Sequence, residues 1–179
     1  MAFSFLSFIL LSFVWCTNLH AQSVTELDSD QPIEISADEL EVLQEQSKAI
    51  FRGAVEAKQG NITLNSAIME VFYRQKNSSE GGGNFGAVSR IEVERDVMLS
   101  TPQESAKAKR GVYKVDDQLI TLTGDVILAR GQNMLRGAKL DYNLKTQKSL
   151  LSSASAVTQP DGTLKTKPGR VKGVFVPGQ

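Results

Sequence analysis

The side chains that most often perform chemistry are scarce in this chain. Its one cysteine and one histidine are Cys16 and His20. Both lie, with Trp15, in the N-terminal segment 1–21. Ala2 to Cys16 carries no charge and is dominated by Phe, Leu, Ile, Val and Trp, and Thr17 to Ala21 then turns polar and small. This is the apolar region and cleavage zone of a secretory signal peptide, with cutting expected after Ala21. The run falls short of the roughly 20 apolar residues that a membrane-spanning helix needs. A retained anchor is the alternative, because no Lys or Arg precedes the run. A lipid-modified Cys16 is disfavoured by bulky Trp15 beside it. Removal of 1–21 leaves a mature chain, 22–179, with no thiol, disulfide or imidazole, held together by packing and strand ladders alone.

The remaining reactive groups form no catalytic set. Asp116-Asp117 reads as a turn, and Asp38, Glu39 and Glu41 read as a solvated strand face. Gly81-Gly82-Gly83 lacks the Lys-Ser/Thr and helix of a phosphate loop. Ser78, Ser79, Ser152, Ser153 and Ser155 have no base to activate them. Lys107, Lys109 and Arg110 could meet a phosphate, although such clusters are usually only solvated surface. No metal, cofactor or enzymatic activity is expected. Twenty Lys and Arg balance twenty Asp and Glu. A neutral chain has no electrostatic reason to bind nucleic acid.

The elements that would position any site are strands. Ile33-Glu34-Ile35-Ser36 and Leu140-Asp141-Tyr142-Asn143-Leu144-Lys145 alternate apolar and polar with period two, which puts the apolar members on one face. Shorter runs repeat the pattern, among them Val55/Ala57, Ile62/Leu64, Val97/Leu99, Tyr113/Val115, Val126/Leu128 and Val174/Val176. Asp38–Gln46 contains helix formers, but Leu40 and Val42 suit a strand equally well. The expected class is all-β.

An internal repeat refines this. Residues 37–67 align on 108–138 at an ungapped offset of 71, with Ala37/Ala108, Gly53/Gly124, Val55/Val126, Gly60/Gly131, Leu64/Leu135 and Ala67/Ala138 identical. Chance gives about two identities over such a length at average composition. A fainter copy surrounds Val97 and another Val157, and Asn77–Asn84 reads as a loop inserted in the first interval. A period of about 30 residues is the scale of a stacked hairpin unit. Stacked hairpins build an elongated roll, with Gly53 and Gly124 suited to bulges where the sheet bends. Such a roll has an apolar interior, which becomes a ligand groove if side chains cannot fill it. Its two ends expose unpaired strand edges.

Asp30-Gln31-Pro32-Ile33-Glu34-Ile35-Ser36-Ala37-Asp38, directly after the signal segment, resembles the mature start of the OstA-like family of periplasmic lipopolysaccharide-transport proteins. Phe51-Arg52-Gly53-Ala54-Val55, Gln59-Gly60-Asn61-Ile62 and Asn65-Ser66-Ala67 resemble its first repeat, and Leu122-Thr123-Gly124-Asp125-Val126 a later one. Arg170–Pro177 resembles its terminal strand. The likeness covers about 30–177, in order. It implies an elongated twisted β-jelly-roll, open at both ends, that shields the acyl chains of lipopolysaccharide in an apolar trough. It also implies head-to-tail self-association by strand addition, an inner-membrane OstA-like anchor protein and the N-terminal domain of an outer-membrane translocon as partners, and a periplasmic location.

By this resemblance Ile33 and Ile35 line the entry end, and Leu99, Tyr113 and Val115 line the trough. Inward alternation adds Val55, Ala57, Ile62, Leu64, Val126 and Leu128; for each, plain core packing is the competing reading. Pro32, Ile33, Glu34 and Ile35 at one end, with Val174, Phe175 and Val176 at the other, are the expected partner edges. Three other readings stay open. One is a membrane-anchored component of the same export machinery. The second is an envelope scaffold that binds no lipid. The third, a glycan-active enzyme, would need an inward pair of carboxylates, of which the sequence shows no sign.

Overall fold

In the computed structural model, residues 31–74, 86–153, 155–158, 164–167 and 169–175 are described. The expected signal segment 1–21, the expected loop Asn77–Asn84 and Val176 lie outside them. The strands in chain order are β1 (Glu34–Ser36), β2 (Glu39–Leu43), β3 (Lys48–Gln59), β4 (Ile62–Tyr73), β5 (Val88–Ser100), β6 (Ser105–Lys114), β7 (Leu119–Arg130), β8 (Asn133–Asn143), β9 (Lys148–Ser152), β10 (Ser155–Thr158), β11 (Leu164–Lys167) and β12 (Lys172–Val174). The ambiguous Asp38–Gln46 stretch resolves into β2 and one 3-10 turn, Gln44–Gln46.

Ten strands form one antiparallel sheet in the order β1-β3-β4-β5-β6-β7-β8-β12, with β2 also on β3 and β9 also on β8. β10 and β11 form a separate hairpin. Neighbours along most of the chain are joined by short turns, as an antiparallel meander requires. The sheet does not close on itself, so β1 and β2 at one end and β12 and β9 at the other remain edges.

Long strands bend because their registers slip at matched positions. The ladder skips between Arg52 and Val55 on β3, between Glu94 and Val97 on β5, and between Thr123 and Val126 on β7. The two extra residues at each site have left-handed backbones: Gly53 and Ala54 (φ 79° and 41°), Arg95 and Asp96 (61° and 53°), Gly124 and Asp125 (85° and 51°). Each pair opposes a single residue of the following strand, Ala67, Lys109 or Ala138. This two-against-one count is a β-bulge, which bends the strand and sharpens its twist. Repeated on alternate strands, it folds the whole sheet along one line. The valines after the corners, Val55, Val97 and Val126, are all buried. The sequence repeat is therefore the repeat of the corner.

The corners also keep apolar residues facing inward on both sides of the bend. On β3, β5 and β7 the inward residue steps by four, from Phe51 to Val55, Val93 to Val97 and Leu122 to Val126. On β4, β6 and β8 it steps by three, from Ser66 to Met69, Ala108 to Gly111 and Gly137 to Leu140. A straight strand alternates with period two, so an odd step would otherwise turn half of each even strand inside out.

The bend yields two facing layers. The first holds 55–59, 62–66, 97–100, 105–108, 126–130 and 133–137, edged by β1 and β12. The second holds 48–52, 68–73, 88–94, 110–114, 119–123 and 139–143, edged by β2 and β9. One continuous apolar cluster fills the space between, from Val55 and Leu64 through Leu99 and Leu122 to Leu140 and Leu144. The outer face of the second layer is a grid of opposite charges, with Lys48–Glu70, Arg52–Glu41, Arg90–Glu92 and Lys139–Asp141 pairs. These are largely solvent-facing pairs that set solubility more than stability.

Gly124 shows what a corner demands. A Cβ there would sit 2.9 Å from Cβ of Lys109, at φ +85°. Gly124→Val is expected to lower unfolding free energy by about 1–3 kcal/mol. Gly131, at φ +56° with open space around it, should accept Asn within about 0.5 kcal/mol. Urea melts of the two variants check the contrast, and equal losses would mean that the corner backbone is not the constraint.

Candidate functional site: the interior and its open rims

The predicted trough residues converge. Val55, Ala57, Ile62, Leu64, Leu99, Tyr113, Val126 and Leu128 are all buried in the interior cluster, and Ile33, Ile35 and Val115 pack against it half-buried. Ile33, Ala57, Ile62, Leu64 and Tyr113 also wall one apolar cavity, together with Gln59, Ile91, Ile120 and Leu144. That cavity measures about 20 Å³, room for about one water. Around this cavity the layers lie close enough for side chains to meet, so among the described residues the interior is packed here rather than open as a groove. Tyr142, Met69, Ile91 and Ile120 are among the largest fully buried side chains that fill the interior.

Of the residues expected at the partner edges, Ile33 and Ile35 are half-buried and Val176 lies outside the described residues. Pro32 and Glu34 are exposed beside β1, and Val174 and Phe175 are each 68 % exposed at β12. On β2, Leu40 and Val42 stand opposite Phe51 and Ala49. Directly opposed residues share a face, so both point to the interior side, yet they are 57 % and 38 % exposed. The second layer has nothing beneath it there among the described residues.

Two polar links join the free rims of the layers. At one, the Tyr113 hydroxyl donates to Oε1 of Gln59 at 3.0 Å, and Nε2 of Gln59 donates to the Gln31 carbonyl at 3.0 Å. At the other, the buried Glu104 carboxylate accepts Nε and Nη2 of Arg130 at 3.0 and 2.6 Å on one oxygen, and the Ser149 hydroxyl on the other. Thr101 and Glu104 close the β5–β6 turn that carries this carboxylate. A buried carboxylate must be paired and hydrogen-bonded to persist. Burial pushes the neighbouring Tyr142 phenol up from its ordinary range.

Sequence reading passed over both links. Gln59 was legible, because it continues the inward series Val55, Ala57, Gln59. Glu104 lies in a turn, where no periodicity marks the inside. The links also reveal a stagger. β3 of the first layer faces β6 of the second, and the turn before β6 faces β9. The two layers are therefore offset by three strands, and at the β2 end the second layer overhangs.

The Lys107, Lys109 and Arg110 cluster lies outside the bend. Lys109 pairs with Asp125 at 2.5 Å, which holds the Asp125 carboxyl below its usual range through the hydrogen bond first and the charge second. Glu94, Arg95 and Asp96 share this surface groove, so both signs of charge interleave there. Among the described residues no group of three or more His, Cys, Asp or Glu could hold a metal ion, and no helix is long and apolar enough to cross a membrane.

An unclosed, sharply bent antiparallel sheet with a continuous apolar interior is a twisted β-jelly-roll. Residues 34–148 match the family described as LptA/(LptD N-terminal domain) LPS transport protein. The chain belongs to that family, whose members transport lipid rather than catalyse a reaction. It is 36 % identical over 135 residues to an uncharacterized protein of Rhizobium meliloti, covering 75 % of this chain and 72 % of that one. It is 26 % identical over 148 residues to the lipopolysaccharide export system protein LptA of Escherichia coli K12, covering 80 % and 76 %. The crystal structure of LptH, the LptA-homologous periplasmic component of the lipopolysaccharide transport device of Pseudomonas aeruginosa, superposes with a TM-score of 0.63 at 20 % identity, over 84 % of this chain and 99 % of that one. At that identity the superposition speaks for the fold.

Proposed function

We propose that this chain is a periplasmic lipopolysaccharide carrier that bridges the inner and outer membranes, shielding acyl chains between its two layers and assembling head to tail. The observation that carries the reading is the unbroken apolar cluster running the length of an open-ended roll. Exposing an acyl chain to water costs about 0.8 kcal/mol per CH₂, so a continuous apolar path removes the main barrier to transit. Because side chains fill the interior, lipid must part the layers and replace contacts between side chains with contacts to acyl chains. The corners along one side act as the spine of that opening, and the polar rims are the side that yields.

The stagger supports assembly. One end offers the inner face of the second layer at Leu40 and Val42, and the other offers the β12 edge with Val174 and Phe175. These surfaces differ, so the contact is heterologous and extends without closing, with strand addition supplying main-chain hydrogen bonds. The same mode suits the proposed partners, an inner-membrane OstA-like anchor and the N-terminal domain of an outer-membrane translocon.

A photo-crosslinking residue in place of Tyr113 or Ile35 is expected to form adducts with lipopolysaccharide in cells, and one in place of solvent-facing Leu150 is not. Absence of adducts from both interior positions would favour a scaffold that binds no lipid.

A further inference from the structure

The polar link around Glu104 borders a second pocket, of about 270 Å³, walled by Gln103, Glu104, Arg130, Tyr142 and Gln147. This lies near the lower end of small-molecule sites, roughly 300 Å³. Its walls come from both rims. Gln103 and Glu104 belong to the turn that ends the first layer, Arg130 closes β7 of that layer, and Gln147 belongs to the turn that ends the second.

Tyr142 is the informative residue. It is 1 % exposed and belongs to the apolar interior cluster, yet it also lines this polar pocket. Interior and pocket thus share a wall. An amphiphile whose chains lie between the layers must carry its head out across the rims, and here polar groups stand directly beside the apolar core.

The pocket's chemistry is that of a sugar site with one cation. Glu104 is neutralised by Arg130, whose side chain remains 61 % exposed while Glu104 is 4 % exposed. Arg130 uses Nε and Nη2 on Glu104, which leaves Nη1 to donate toward an oxyanion. The Gln103 and Gln147 amides offer donors and acceptors suited to hydroxyls. The two hydrogen bonds to the buried Glu104 carboxylate also fix the guanidinium plane, which favours recognition of a phosphate.

We propose that this rim pocket is a headgroup subsite, in which Arg130, Gln103 and Gln147 bind the phosphorylated saccharide of the lipid whose acyl chains enter between the layers. The assignment rests on the proposed lipid-carrier function and adds a second, water-facing half to the same site. A packed interior recognises any acyl chain of suitable length, whereas a polar subsite selects among amphiphiles by their heads.

The test uses the mature protein and three probes: intact lipopolysaccharide, the same material freed of its acyl chains, and that deacylated saccharide after dephosphorylation. Backbone amide shifts are followed by NMR, and affinity by calorimetry. The deacylated phosphorylated saccharide is expected to shift the Gln103, Arg130 and Gln147 amides, and the dephosphorylated one to bind at least tenfold more weakly. Gln147→Ala, which leaves the ion pair intact, should weaken the deacylated probe about fivefold or more. Arg130→Lys should keep the pairing with Glu104 and the thermal midpoint near wild type, but lose preference for the phosphorylated probe. Intact lipopolysaccharide binding without any response at this pocket to the deacylated probe overturns the headgroup subsite alone. Failure of intact lipopolysaccharide to bind overturns the carrier function and the subsite with it. Shifts that are equal with and without phosphate overturn the role given to Arg130.

Discussion

Leu122→Asp is expected to abolish cooperative folding at neutral pH. Leu122 is fully buried and stands opposite Gly111 on β6 and Leu140 on β8. Removing the leucine forfeits its burial and opens a cavity, which together cost about 2–5 kcal/mol in comparable cores. The new carboxylate adds an unpaired buried charge, which costs several kcal/mol more or forces the group to stay protonated. The sum reaches the whole stability of a typical domain, about 5–15 kcal/mol. Leu150→Lys is the matched control. Leu150 is 58 % exposed on β9, directly opposite Asp141. It should change stability by no more than about 0.5 kcal/mol. Circular dichroism melts of both variants measure the difference. A cooperative Leu122→Asp melt near wild type would mean that the interior is wet or loosely packed.

Proline in the edge strands is expected to stop assembly while leaving the roll folded. Ile35 pairs with Ala57 on β1, and Val174 pairs with Met134 on β12. Both strands have three residues and border an open edge. Proline removes a main-chain donor and resists ladder formation. An edge docked by strand addition loses its principal attachment with that ladder. Ile35→Pro combined with Val174→Pro should weaken self-association by at least about 100-fold, the equivalent of roughly 2.8 kcal/mol. Ile35 touches the main apolar cluster only from its margin, half-buried, and Val174 is exposed, so the thermal midpoint of the monomer should fall by only a few degrees, about 1 kcal/mol. Light scattering over a concentration series reads the first effect. Rods of unchanged length would place the joint elsewhere, and the exposed Leu40 and Val42 face would then be the surface to substitute next.

Much of this architecture could be read without coordinates. Period-two alternation marked Val55/Ala57, Ile62/Leu64 and Val126/Leu128 as inward, and they are buried. The repeat of Gly53 and Gly124 marked two corners, because those backbone angles suit glycine. The third corner was only faint, since Arg95 and Asp96 adopt the same left-handed angles without a glycine. There the neighbouring corners hold the strand in register, and tertiary packing overrides local preference. The suggested copy around Val157 did not extend the pattern, because β10 pairs with β11 outside the main sheet.

The sequence by itself determined the all-β class, the inward face of long strands such as β3, β4 and β7, and the positions of the glycine corners, because alternation and backbone angle are local properties of the chain. Whether the interior is open or packed depends on how far apart the bent layers settle. The three-strand stagger depends on twist accumulated across many ladders. The meeting of Gln59 with Tyr113, and of Glu104 with Arg130 and Ser149, joins residues 26 to 54 positions apart. No local pattern encodes those separations, so only the folded sheet could place a polar rim against an apolar core.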